Sequence, residues 1–279
     1  MKDLTLVFPQ WQGSINNKAL HKGAYALAEG IADLPAVTTV EIEPFRKLES
    51  GGPIAGLGDI VQQLKNVLSI IEQAKPERVL MIGGDCGTEL GPVSWMSRKH
   101  GDKMALIWFD AHPDLNTPET SKSGRFQGMA LSAILGSAGP EINKAMFNPL
   151  SSKQIFLAGT RSFDPPELEF MTRNKITIFG PEEFTRDPAW LAKQIKEAGF
   201  SKVYIHLDVD AVDPLGFGHG KPAPPAGLNF GNVLKIIEEV NSRLDICGLG
   251  ITEFHPGNES GIEKAALLIE KTLPGFTTK

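Results

Sequence analysis

The sequence predicts an α/β fold, and three observations carry that prediction. Short β-rich apolar runs alternate along the chain with amphipathic stretches of helical period. Most of these runs are continuous, as in strands buried on both faces of a parallel sheet. Four of them lead directly into acidic residues, and α/β sheets place their active sites at the carboxyl ends of strands.

The first expected strand is the apolar run Leu4–Phe8, followed by a helix near 21–32. Thr38–Glu43 is β-branched and precedes a strongly periodic helix over 57–74. Arg78–Ile82 leads to a helix near 88–99, and Ala105–Phe109 to one near 126–136. Gln154–Ala158 and Lys175–Phe179 follow, then a helix near 187–198. Lys202–Leu207 precedes a helix over 229–242, where Asn229 is a plausible cap for a run with apolar residues at helical spacing. Ile246–Thr252 and a helix near 259–271 complete the pattern. This order fits a closed eight-stranded barrel and an open doubly wound sheet equally well. With no internal repeat, low-complexity tract or convincing linker, residues 1–279 read as one domain.

Composition narrows the partners. A formal charge of −5 gives no basic surface for nucleic acid or an anionic membrane. The two cysteines, Cys86 and Cys247, do not make a disulfide framework. The N-terminus lacks the apolar core of a signal peptide, and no run approaches membrane-spanning length, so a reducing cytoplasm is the expected compartment.

The chemistry concentrates at four strand ends. Arg78–Ile82 leads into Gly83-Gly84-Asp85-Cys86, and Ala105–Phe109 into Asp110, His112 and Asp114. Lys202–Leu207 leads into Asp208, Asp210 and Asp213, and Ile246–Thr252 into Glu253 and His255. Two carboxylates and an imidazole at alternate positions of extended backbone share a face. Clustered acids are costly to bury unless a cation or hydrogen bonds neutralise them. An oxygen-rich set with one or two nitrogens favours Mn²⁺ or a similar ion. Asp213-Pro214 alone reads as a turn, and the 83–87 loop matches neither a dinucleotide fingerprint nor a P-loop.

Together Gly83–Cys86, Asp110–Asn116, Asp208–Pro214 and Glu253 make the chain resemble the arginase/agmatinase (ureohydrolase) family over most of its length. The resemblance implies a three-layer α/β fold with an open, eight-stranded, mostly parallel sheet and helices on both faces. It implies two Mn²⁺ ions, hydrolysis of a guanidino or amidino compound, and a homo-oligomer. By the same resemblance Asp110 and Asp208 bridge the ions, Asp114 completes one, and His112 with Asp210 completes the other. Cys86 stands at a histidine-ligand position, and Glu253 holds the guanidinium. Asn116, Ser123, Arg125 and Asp164 fall in segments similar to those that grip an amino acid. A guanidinium carbon is a poor electrophile, so attack needs hydroxide at neutral pH. Metal coordination lowers the pKa of water from ~16 towards ~7 to 9. Asp114 is then placed to move a proton to the leaving amine.

Departures from the family pattern sharpen the question. Cys86 is a softer ligand that suits Zn²⁺ or Fe²⁺ better than Mn²⁺, and Ni²⁺ also belongs among the ions to try. Gln127 stands at a histidine position and cannot act as a general acid. Arg125 replaces a common asparagine yet can hold a carboxylate bidentately. Lys221 replaces a small hydroxyl residue, and its ammonium would repel a guanidinium. His206 shares the face of Asp208 and Asp210 if the strand stays regular, and His255 that of Glu253. A lone histidine is more often a satisfied polar residue than a ligand. The expected function is a metal-dependent arginase-like hydrolase. The competing reading is a ureohydrolase-fold protein that binds a metabolite or partner without turnover.

Overall fold

A computed structural model describes residues 2–48, 52–214 and 224–276. Eight strands form one sheet: β1 Asp3–Phe8, β2 Val37–Thr39, β3 Arg78–Gly83, β4 Met104–Phe109, β5 Ile155–Ala158, β6 Thr177–Phe179, β7 Lys202–Asp208 and β8 Asp245–Thr252. Their spatial order is β2-β1-β3-β8-β7-β4-β5-β6, and every pairing is parallel. The sheet is therefore open, which decides between the two architectures that the pattern allowed. Because all strands run the same way, all carboxyl ends lie along one edge. The four acidic strand ends belong to the central neighbours β3, β8, β7 and β4.

Helices cover both faces. They are α1 Lys18–Gly30, α2 Leu57–Ala74, α3 Leu90–His100, α4 Ala130–Ile134, α5 Pro140–Ala145, α6 Pro165–Asn174, α7 Pro181–Arg186, α8 Trp190–Glu197, α9 Phe230–Asn241 and α10 Glu259–Thr272. One core packs α1 and α7 to α10 on one face of the sheet, through residues such as Leu27, Phe184, Ile195, Ile237 and Leu268. The other packs α2 to α6 on the opposite face, through Leu64, Met96, Leu131, Ile142 and Met171. All six residues of β4 are buried, as its continuous apolar run requires. Among the described residues no helix is long and apolar enough to cross a membrane. Cys86 and Cys247 are both free and buried.

The differences from the expected elements lie at edges and short helices. The strand expected over 38–43 is only Val37–Thr39, and the one over 175–179 only Thr177–Phe179. Both are edge strands with one neighbour, and Lys175 is spent as a left-handed cap of α6. The helix expected over 126–136 is a 3₁₀ turn, Gln127–Met129, followed by the five-residue α4. Helices α5, α6 and α7 were not expected, and each opens on proline in its first turn. Proline breaks a helix interior but suits its first position, where no N–H is needed.

Gly23 brings α1 close to the site edge. A Cβ there would stand 1.7 Å from the carbonyl oxygen of Phe254, next to Glu253. Gly23→Ala should cost about 1–3 kcal/mol by overpacking, read as a lower urea midpoint. Gly58→Ala in α2, where a Cβ meets nothing within 4 Å, should leave the midpoint unchanged or raise it.

Candidate metal centre

After β3, two glycines let the chain turn in close quarters. A Cβ on Gly83 would lie 2.1 Å from Thr88 Oγ1, and one on Gly84 2.0 Å from the Gln10 carbonyl oxygen. Asp85 then caps a 3₁₀ turn, its side chain accepting from Gly87 N at 3.0 Å. The turn delivers Cys86, whose Sγ lies 3.4 Å from Asp208 Oδ2 and 3.5 Å from Thr252 Oγ1.

After β4, Asp110 is fixed on both oxygens. Oδ1 accepts from His112 N at 2.7 Å and Oδ2 from Trp108 Nε1 at 3.1 Å. His112 Nδ1 lies 3.1 Å from Asp210 Oδ2 and 3.5 Å from Asp110 Oδ1. After β7, Asp208 Oδ1 accepts from Asp210 N at 2.8 Å and starts a second 3₁₀ turn. Asp210 Oδ1 accepts from Ala111 N at 3.1 Å, tying the two acidic loops together. That turn takes Asp210 off the strand, so His206 keeps a common face with Asp208 alone.

Two ligand-type residues have left-handed backbone, Asp114 at φ 51° and Glu253 at φ 62°. Such geometry is uncommon for non-glycine residues and collects at functional sites. Hydrogen bonds hold both. Leu131 N and Ser132 N donate to the Asp114 carbonyl, and Glu253 N donates to the Gly84 carbonyl.

The electrostatics show an excess of confined negative charge. Burial, then the neighbouring Asp110, pushes Asp114 well above the usual carboxylate range. Burial and Asp210 do the same to Asp208, and raise Asp110. Burial, helped by Asp114 and Asp208, raises the Cys86 thiol. Burial opposes charge on His112, but hydrogen bonds to Asp110 and Asp210 lift its pKa to about 12. Asp210 goes the other way: burial raises it, and its bond to His112 outweighs that.

Among the described residues, ligand atoms gather in three overlapping trios, each with its atoms within 4.8 Å of one another: Asp110, His112 and Asp210; Cys86, Asp208 and Glu253; Cys86, Asp110 and His206. Asp114 belongs to none of these trios. Its buried Oδ2 has no hydrogen-bond partner among the described residues, as a carboxylate that answers a cation would be left. The donor set therefore fits divalent metal.

Above the trios lies a cavity of about 430 Å³. Asn116, Ser123, Arg125, Gln127 and Asp164 all line it, with Cys86, His112, Asp114, Asp208, Asp210, Glu253 and His255. Asp110 is 1% exposed and lies beneath that lining. Asn116 Nδ2 donates to Asp164 Oδ2 at 3.1 Å, so the two expected substrate segments meet. Ser123 Oγ accepts from Arg125 N at 3.2 Å. Lys221 lies outside the described residues.

Three residues matter beyond those the motifs pointed to. Buried Glu167 accepts from Leu115 N at 3.0 Å and Asp164 N at 2.8 Å, clamping together the two loops expected to hold substrate. Its signal was the capping box Asp164-x-x-Glu167. Arg161 donates to the carbonyls of Asp210 at 2.9 Å and Pro224 at 2.7 Å, bracing the loop after β7. Glu89, fully buried beneath the site, meets His206.

The Arginase family model matches residues 18–273. The chain belongs to the arginase family. It is 30% identical over 246 residues to an arginase of Staphylococcus aureus strain COL, covering 84% of this chain and 80% of that one. It is 32% identical to arginase-1 of Sus scrofa, over 81% of this chain and 70% of the relative. Its fold matches the Entamoeba histolytica arginase solved with L-ornithine, with a TM-score of 0.85 at 23% identity over 98% of both chains. The arginase of Bacillus caldovelox matches with the same TM-score at 22% identity, over 99% of both chains.

Asp114 yields a direct test of confined charge. Its raised pKa means the metal-free fold favours the protonated form. That contribution is fully present below the ordinary aspartate value of 3.8 and is lost as pH rises through the higher folded value. Asp114→Asn should therefore stabilise metal-free protein at pH 7 by about 1–3 kcal/mol, the scale of an unsatisfied buried group. The gain should vanish below the ordinary value, measured by urea unfolding at both pH values. Asparagine also tolerates the left-handed backbone, so strain does not confuse the result.

Proposed function

We propose that this chain is a metal-dependent hydrolase that cleaves a C–N bond of a guanidino or amidino compound, arginine or a close analogue. The observation that supports it is one cavity with metal-type trios in its floor and amino-acid-type contacts on its wall. Glu253 faces the guanidinium and offsets its charge. Asp164 receives an α-ammonium, while Arg125, Ser123 and Asn116 receive an α-carboxylate. The similar Entamoeba histolytica structure holds L-ornithine, the amine left when arginine loses urea.

When bound, two divalent ions, for which the family resemblance implies Mn²⁺, would supply a water acidic enough to lose its proton near neutral pH. Asp110, Asp208, His112 and Asp210 would hold them, with Asp114 and Cys86 completing the set. Asp114, through the carboxylate oxygen that does not hold an ion, would take up the proton and pass it to the departing nitrogen. Gln127 lines the wall as a hydrogen-bonding contact and does not titrate, so proton transfer falls to Asp114. The protein acts as a single domain in the cytoplasm and assembles as a homo-oligomer.

Metal-loaded protein should release urea from arginine faster than from agmatine or guanidinobutyrate. Absence of urea or amine release with Mn²⁺, Ni²⁺, Zn²⁺ and Fe²⁺ alike would sink the proposal. Arg125→Ala should raise KM for arginine about 10- to 100-fold, the loss of a charged hydrogen bond. It should leave KM for agmatine, which has no carboxylate, unchanged. Equal losses for both substrates would remove Arg125 from the carboxylate contact.

A further inference from the structure

His206 does not behave as a satisfied core histidine. It is fully buried, and neither ring nitrogen has a hydrogen-bond partner among the described residues. A ligand atom of its ring lies within 4.8 Å of both Cys86 Sγ and an Asp110 oxygen. The ring stacks on Trp108 with centroids 3.5 Å apart, and Trp108 Nε1 in turn donates to Asp110. Burying an imidazole unbonded is costly, so the position needs a reason.

The surroundings are built to hold that ring. His206 pairs in register with Gly250 on one side and Trp108 on the other, and Tyr204 pairs with Gly248. A Cβ on Gly250 would stand 1.5 Å from Glu89 Oε1, and one on Gly248 2.4 Å from the Tyr204 ring. Gly250 thus leaves room for Glu89 under the sheet, and Gly248 for the Tyr204 ring that bonds it. Tyr204 Oη donates to Glu89 Oε2 at 2.7 Å, leaving Oε1 3.4 Å from His206 Nδ1. A metal-bound histidine typically presents its second nitrogen to a carboxylate, which fixes the tautomer. Glu89 occupies that place.

We infer that His206 supplies the imidazole ligand that Cys86 does not, so that one ion is held by Cys86 Sγ, Asp110 and His206 Nε2, with Glu89 as the positioning carboxylate behind Nδ1. The imidazole would then come from the interior of β7 and not from the turn after β3. The resulting sulfur, nitrogen and oxygen set selects a borderline ion such as Zn²⁺, Fe²⁺ or Co²⁺ over Mn²⁺. The other ion, held by Asp110, His112 and Asp210, keeps an oxygen-rich set. This assignment rests on the proposed metal-dependent function, and its test does not use turnover.

Metal-free full-length protein titrated with Co²⁺ should bind two ions and develop a thiolate-to-cobalt charge-transfer band that Cys86→Ser abolishes. His206→Gln should weaken one ion at least 10-fold and leave the other bound. Glu89→Gln should weaken the same ion about 10- to 100-fold while the band persists. A folding defect would leave the cobalt spectrum of the bound fraction unchanged. Should the variants not fold, the unaltered protein loaded with ¹¹³Cd and ¹⁵N-histidine gives the answer, because the metal should couple to the His206 ring nitrogen. Coupling to His112 alone, or a missing thiolate band, would overturn the assignment. Two bound ions with His206 coupling but no urea release would reject the hydrolase and leave this site standing. Urea release without thiolate or His206 ligation would do the reverse.

Discussion

Asp110 is the residue on which the site turns. Each of its carboxylate oxygens accepts a hydrogen bond, from His112 N and Trp108 Nε1, and it belongs to two of the three ligand trios. It is 1% exposed and shares its surroundings with Asp114 and Asp208, both held well above the usual carboxylate range by burial. Such a cluster is unfavourable as an isolated set of anions and becomes favourable around cations. The all-parallel order of β3, β8, β7 and β4 imposes the convergence, since neighbouring strands aim their last residues at one place.

The same crowding explains the backbone. Left-handed Asp114 and Glu253 sit at turns leaving β4 and β8, and hydrogen bonds to neighbouring segments hold them there. The loops are braced rather than loose. Glu167 bridges Leu115 and Asp164, Arg161 grips the Asp210 carbonyl, and Asp210 reaches back to Ala111. These contacts hold the candidate metal and substrate residues in one fixed arrangement, the kind of preorganisation that limits rearrangement on binding.

Much of the fold was legible because buried parallel strands are written as continuous apolar runs. β4 and β7 read clearly, while the three-residue edge strands β2 and β6 carry too little pattern. Proline hid α5, α6 and α7, since its helix-breaking reading masks its role at a first turn. The principal site motifs were legible as acids at strand ends. Glu167 had a local signal in its capping box with Asp164, but its bond to Leu115 and the contacts of Glu89 and Arg161 join partners distant in sequence. His206 was visible as a strand residue, but its buried neighbour Glu89, seated where Gly250 has no side chain, comes from a distant turn.

Anomalous X-ray diffraction from crystals of protein loaded with Mn²⁺ and Zn²⁺ tests the central claim most directly. The account predicts two peaks on the cavity floor, one bounded by Asp110, His112 and Asp210, the other by Cys86, Asp110 and His206. Fully occupied crystals with no metal peak among these residues would contradict it.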